Sequence, residues 1–119
     1  MVTTIEIEEF LNLSQSNPVF DVRTPLEFEH GHIPNANNLP IFSNEDRVKI
    51  GTAYKQIGRE EAILLGFELV GSEWANFIRA VKSKTSSKKI LIHCWRGGMR
   101  SAGVAWLLDL YGYTVYTLV

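Results

Sequence analysis

With one cysteine, Cys94, in 119 residues, the chain has no means of forming an internal disulfide. No apolar run reaches the roughly 20 residues that a membrane-spanning helix needs, so no membrane partner is expected. The first residues, Met1-Val2-Thr3-Thr4-Ile5-Glu6, lack a basic segment followed by an apolar one, and no secretory leader is legible in them. Basic excess is missing too: 12 Lys and Arg against 13 Asp and Glu give a formal net charge of -1. The chain as a whole is therefore not expected to bind DNA through non-specific attraction to phosphates. The Gly-x4-Gly-Lys-Ser/Thr pattern of a phosphate-binding P-loop does not occur. These absences imply a reducing, cytoplasmic setting, in which an unpaired cysteine stays a thiol unless it is given work.

What is present suits one globular domain spanning 1–119. Hydrophobic residues make up 45% and charged residues 21%, and a chain this long buries about two-thirds of its unfolded surface. Thr3-Thr4-Ile5-Glu6 has capping-box spacing and predicts a short helix through Ile7, Phe10 and Leu11 that Asn17-Pro18 ends. Val19-Phe20-Asp21-Val22 reads as a buried strand. Thr24-Pro25-Leu26-Glu27-Phe28-Glu29 carries an N-cap, a proline at the first helical position and early acids, and predicts one short helix that His30-Gly31 stops.

Ile33 to Pro40 reads as a bent, extended connection. Asn44 to Ile57 and Arg59 to Val81 read as helical, with breaks near Gly58, Gly66 and Gly71. Ile63, Phe67, Val70, Trp74, Phe77, Ile78 and Val81 recur at helical spacing and are expected in the core. The lysines of Lys82 to Lys89 are expected in a solvated loop. Lys89-Ile90-Leu91-Ile92-His93-Cys94 is a near-continuous apolar run, the pattern of a central parallel strand covered on both faces. Ser101 to Tyr111 predicts a helix that buries Val104, Ala105, Leu107 and Leu108 and ends at Gly112, and Thr114 to Val119 predicts a last strand. The alternation of strands and helices gives an α/β class: a mainly parallel central sheet flanked by helices in three layers.

Chemistry concentrates in Cys94-Trp95-Arg96-Gly97-Gly98-Met99-Arg100-Ser101, between a buried strand and a helix, at the sheet edge where such folds bind ligands. Gly97 and Gly98 free the backbone to turn amide N–H groups inward, and the following helix adds its positive N-terminal end. The loop thus forms an anion-binding cradle in which Cys94 is expected to work as a thiolate. Arg100 is placed to fork two N–H groups onto an oxyanion, and Arg96 to add a second positive charge. Ser101 is placed either to hydrogen-bond the thiolate or to cap the helix, and Trp95 either to line the pocket mouth or to pack inward. His93 is expected to sit satisfied at the strand end rather than to act as a base. His30 and His32 read as structural or surface residues, and no metal site is expected.

Asp21-Val22-Arg23, Glu27-Phe28, Gly31-His32-Ile33-Pro34, Ala36 and Leu39-Pro40 resemble the upstream signature of rhodanese-like domains, and the resemblance continues through Cys94 to the last residue. Within that superfamily, Gly51-Thr52-Ala53-Tyr54-Lys55-Gln56 and the segment from Cys94 to Ser101 look most like tRNA 2-selenouridine synthases. Asn35 replaces a glycine of the signature, and asparagine tolerates a left-handed backbone. The resemblance implies a rhodanese-like fold, Cys94 as the catalytic sulfur, Asp21 and Arg23 as supports of the site edge, and no tightly bound cofactor. Selenophosphate, or another sulfur donor, would supply the chalcogen that replaces the sulfur of a 2-thiouridine in tRNA. In the resembled family a P-loop half grips the tRNA, so the chain is expected to be a truncated form or a split-gene subunit.

Two other classes compete. His93-Cys94-x5-Arg100-Ser101 also satisfies the loop pattern of cysteine phosphatases, including rhodanese-fold phosphatases and arsenate reductases. Those enzymes commonly use an upstream aspartic acid as proton donor, and no Asp lies between Asp46 and Cys94. Simple sulfurtransferase loops are shorter than the five residues that separate Cys94 from Arg100 here, and a wider cradle suits a tetrahedral anion. A rhodanese-like module that only docks a partner would be expected to have replaced the cysteine.

Overall fold

At the centre of the sheet lies β4 (Lys89–His93), whose Ile90, Leu91 and Ile92 are each 0% exposed, as expected for a strand covered on both faces. The structure is a computed structural model that describes residues 1–94 and 99–118, with the backbone alone for Met99. Strands β1 (Val2–Ile5), β2 (Val19–Asp21), β3 (Asn37–Asn38), β4 and β5 (Thr114–Leu118) form one sheet in the order β1-β5-β4-β2-β3. Every neighbouring pair is parallel.

The helices are α1 (Ile7–Leu13), α2 (Pro25–His30), α3 (Asn44–Gln56), α4 (Arg59–Val70), α5 (Trp74–Lys84) and α6 (Met99–Tyr111). α5 and α6 cover one face, where Phe77, Ile78, Val81, Val104, Ala105 and Leu108 pack on Phe20, Ile90, Ile92 and Val115. On the other face Phe10 of α1 packs with Ile5, Val19 and Leu91. The alternation of Ile90 and Ile92 with Leu91 splits β4 between the two clusters, as the two-residue period of a strand requires. No helix among the described residues is long and apolar enough to cross a membrane.

Four local expectations are corrected. Thr3, Thr4 and Ile5 belong to β1, paired with Tyr116, Thr117 and Leu118, and the N-cap of α1 is Glu6, with no side-chain cap bond. β-branched residues beside a ready strand edge outweigh a capping-box spacing. Gly66 does not break a helix; it is buried inside α4, where a Cβ would lie 3.4 Å from Phe42 and 3.9 Å from Ile50. Phe67 is 63% exposed rather than in the core. The four lysines of 82–89 are exposed as expected but do not all sit in a loop, since Lys82 and Lys84 belong to α5 and Lys89 to β4; Lys88 Nζ lies 4.6 Å from the Tyr113 ring centroid, and Lys82 donates to the Tyr111 hydroxyl at 3.2 Å.

Parallel strands place all their carboxyl ends on one edge. The chain leaves β3 there into α3 and α4, and α5 returns it to the opposite edge to begin β4. Cys94, which follows β4, therefore lies at the same edge as the α3–α4 hairpin.

Candidate active site

β2 and β4 run side by side up to this edge, with Asp21 in register with His93 and the Val22 amide donating to the His93 carbonyl at 2.9 Å. Cys94 follows at once. It is 5% exposed and joins the apolar cluster, but its sulfur faces the first turn of α6, where the Ser101 amide donates to Sγ at 3.2 Å. Ser101 thus reaches the sulfur through its backbone N–H. An amide at a helix N-terminus suits an electron-rich partner, because the partial positive charge of the helix end adds to the hydrogen bond.

Arg100 reaches toward α2. Its two terminal nitrogens donate to Glu27 Oε1 at 2.7 Å and Oε2 at 3.2 Å, a two-pronged ion pair with both side chains about one-fifth exposed. The fork expected to await an oxyanion is occupied by a carboxylate of the protein itself, so an incoming anion has to share Arg100 with Glu27 or displace it.

Glu27 is held in turn by α2. Thr24 accepts from the Glu27 amide at 3.3 Å and donates to Oε1 through its own amide and hydroxyl, both at 3.1 Å, a reciprocal capping box with Pro25 in the first turn. Arg47, at the start of α3, adds a second cation 3.3 Å from Oε1. Burial alone would raise the Glu27 pKa. The bonds from Arg100 and Thr24 and the charges of Arg100 and Arg47 more than reverse that and hold it at about 2. Glu27 is a residue of this site whose role the sequence did not disclose: it was visible as an early acid of a short helix, and its partner 73 residues away was not.

Asp21 and Arg23 form a second, deeper pair. Arg23 donates from Nε to Oδ1 at 3.0 Å and from its terminal nitrogen to Oδ2 at 2.7 Å, and the two side chains are 0% and 6% exposed. The same guanidinium donates to the Gly31 carbonyl at 2.7 Å. The bond to Asp21 is the largest cause of a raised Arg23 pKa, and Cys94 lies near enough to contribute. Asn38 closes the group by donating to the carbonyls of Asp21 and Arg23 at 3.1 and 3.0 Å. The turn between Gly31 and Asn38 passes through Asn35 at φ 66°, the left-handed conformation that asparagine accepts at low cost.

His93 departs from expectation. Its Nδ1 is buried with no hydrogen-bond partner among the described residues, so the ring is not satisfied there at the strand end. Burial lowers its pKa, with Asp21 opposing and Arg23 adding to the shift, which leaves a neutral imidazole. His32 stacks on the Phe28 ring and bonds the Phe28 carbonyl at the surface. Among the described residues no group of three or more His, Cys, Asp or Glu side chains could hold a metal ion. Trp95, Arg96, Gly97 and Gly98, and the Met99 side chain, lie outside the described residues.

The sequence profile of the rhodanese-like domain matches residues 6–119. The chain belongs to the rhodanese-like domain family. Of the relatives, the tRNA 2-selenouridine synthase of Bdellovibrio bacteriovorus is 39% identical over 115 residues, which cover 88% of this chain and 29% of that protein. The enzyme of the same name from Nitrosomonas eutropha is 41% identical over 101 residues, covering 77% of this chain and 24% of its own. This rhodanese-like chain therefore spans about a quarter of the length of these relatives. Among solved structures, the N-terminal domain of a Clostridium difficile protein named for ATP/GTP binding superposes with a TM-score of 0.85 at 39% identity, covering 98% of this chain and 90% of that one. Reduced CoADR-RHD of Bacillus anthracis, 20% identical with a TM-score of 0.59, matches 98% of this chain and 15% of its own, and shares the fold.

Proposed function

We propose that this rhodanese-like domain carries sulfur or selenium on Cys94, as the chalcogen-handling part of a tRNA 2-selenouridine synthase. The observation that carries the proposal is the Cys94 sulfur set against the Ser101 amide at the head of α6, at the edge where an active site of this fold belongs. Thiolate sulfur is the reactive form of cysteine. With thiosulfate, Cys94 Sγ attacks the outer sulfur, the new S–S bond forms as the old one breaks, and sulfite leaves with the electron pair. With selenophosphate, attack on selenium breaks the Se–P bond, the phosphorus keeps the pair and takes up a proton, and phosphite leaves. In both steps the head of α6 would offer positive charge to a departing oxyanion, and Arg100 would add to it only by sharing or leaving Glu27.

Selenophosphate is the proposed donor and 2-thiouridine in tRNA the proposed acceptor; the support is the name and near 40% identity of the relatives. The net charge of -1 supports a reading in which polypeptide outside these 119 residues grips the tRNA. The test is to incubate the purified chain with selenophosphate, thiosulfate or p-nitrophenyl phosphate and weigh the intact protein. A selenium or sulfur adduct that Cys94→Ser abolishes is expected. Turnover of the phosphate ester with no chalcogen adduct would replace this reading by a phosphatase.

A further inference from the structure

The α3–α4 hairpin is poorly buried for its apolar content. α3 buries no residue, and α4 buries only Ala62, Gly66 and Val70. Val48, Tyr54, Ile57, Leu64 and Phe67, all on or next to these two helices, are 51–71% exposed. Single exposed apolar residues are ordinary, but five on one hairpin are a reason to look for a partner. Between the helices runs a groove of about 250 Å³, lined by Ala53, Ile57, Glu61, Leu64, Leu65 and Glu68.

The charge of the groove indicates what fits. Its only ionic side chains are Glu61 and Glu68, seven residues apart on α4, which is two turns or ~10 Å of rise. Their complement is an amphipathic helix whose apolar stripe fills the groove and whose Lys or Arg side chains, two turns apart, meet the two carboxylates. A second copy of the chain fits worse, because pairing groove to groove brings carboxylates against carboxylates. The hairpin is also wired to the site: Arg47 of α3 shares Glu27 with Arg100, and Asn44 accepts from the Leu26 amide at 3.1 Å.

We infer that the α3–α4 groove is a docking surface for a basic-flanked amphipathic helix of a partner domain, the polypeptide that makes up most of the length of the tRNA 2-selenouridine synthases beyond the part this chain matches. Docking there brings the partner to the edge that carries Cys94. The inference does not depend on sulfur or selenium chemistry at the thiol.

The test replaces the matched stretch of the Bdellovibrio bacteriovorus synthase by this chain and follows amide hydrogen exchange in the hybrid and in the isolated chain. Residues 53–68 are expected to exchange at least about tenfold more slowly in the hybrid. Ile57→Lys/Leu64→Lys, which alters two exposed positions, is expected to abolish that protection and leave β4 protected. Equal exchange in the two proteins overturns the inference, as does protection that survives the double substitution. So does a dimer of the isolated chain, seen by light scattering, that the substitution splits. Should the hybrid fail to protect β4, the remaining segment of the synthase is added in trans to the isolated chain, and unchanged hairpin exchange overturns the inference there too. Adduct formation on Cys94 of the isolated chain is read separately, so the failure of either reading is told apart from the other.

Discussion

Glu27 accepts both terminal nitrogens of Arg100, at 2.7 and 3.2 Å, and so fixes the closing arginine of the Cys94 loop to a helix 73 residues upstream. Its carboxyl, held at about 2 against an ordinary 4.5, is charged in the folded state where an unfolded glutamate has begun to protonate. The stability this confers is complete above pH 4.5 and lost as pH falls from there to about 2. At full value the shift corresponds to about 3 kcal/mol, and partial solvent access reduces it to about 1–2 kcal/mol. Glu27→Gln is expected to lower the urea midpoint at pH 7, with a gap to the parent chain that narrows at pH 3. An undiminished gap at pH 3 would mean that shape rather than charge makes the contact.

Asp21→Ala is expected to be more damaging, because it strands the Arg23 guanidinium in a site where that side chain is 6% exposed. Removing one member of a buried pair costs about 3–5 kcal/mol. The double variant Asp21→Ala/Arg23→Leu is expected to lose less than the sum of the single changes, since it leaves no buried charge. Chemical denaturation of the four proteins closes the cycle, and additive losses would show that the two side chains act independently.

These pairs mark where the sequence could and could not be read. The strand read over Lys89 to Cys94 and the helix read over Ser101 to Tyr111 were legible because their apolar patterns are local, and the structure shifts them only to Lys89–His93 and Met99–Tyr111. β1 was not, because Thr3 and Thr4 become strand residues only beside Tyr116 and Thr117, more than a hundred residues away. Glu27 was legible only as an early acid of a short helix, and nothing nearby announced Arg100. Gly66 was misread for a related reason: a glycine inside a helix signals a break when read alone, whereas here it continues α4 beside Phe42 and Ile50.

Gly66 and Gly112 should answer substitution with opposite signs. A Cβ at Gly66 meets Phe42 at 3.4 Å and lies in regular helix, so Gly66→Ala is expected to gain roughly 0.5–1 kcal/mol. Gly112 ends α6 at φ 120° with nothing within 4 Å of a Cβ, so the penalty of Gly112→Ala is purely conformational, about 1–2 kcal/mol. Melting temperatures of the two variants measure both. A destabilised Gly66→Ala protein would show that Phe42 cannot yield.

His93 supplies the last expectation, and its sign follows from burial. The folded chain holds the imidazole neutral, with a pKa below the ordinary 6.5, while the unfolded chain takes up a proton as pH falls through that value. Below pH 6.5 the unfolded state therefore binds more protons, and stability declines from there down to the folded pKa. This decline begins at a higher pH than the one set by Glu27. Phenylalanine fills a similar volume and removes the partnerless Nδ1, so His93→Phe is expected to change stability by less than about 1 kcal/mol at pH 7.5. It is also expected to flatten the decline between pH 7.5 and 5, as read from urea midpoints. Because the neutral ring acts here as packing, the variant should still form the Cys94 adduct at the parental rate. A correctly folded His93→Phe protein that no longer loads sulfur or selenium would instead assign the imidazole a part in the transfer.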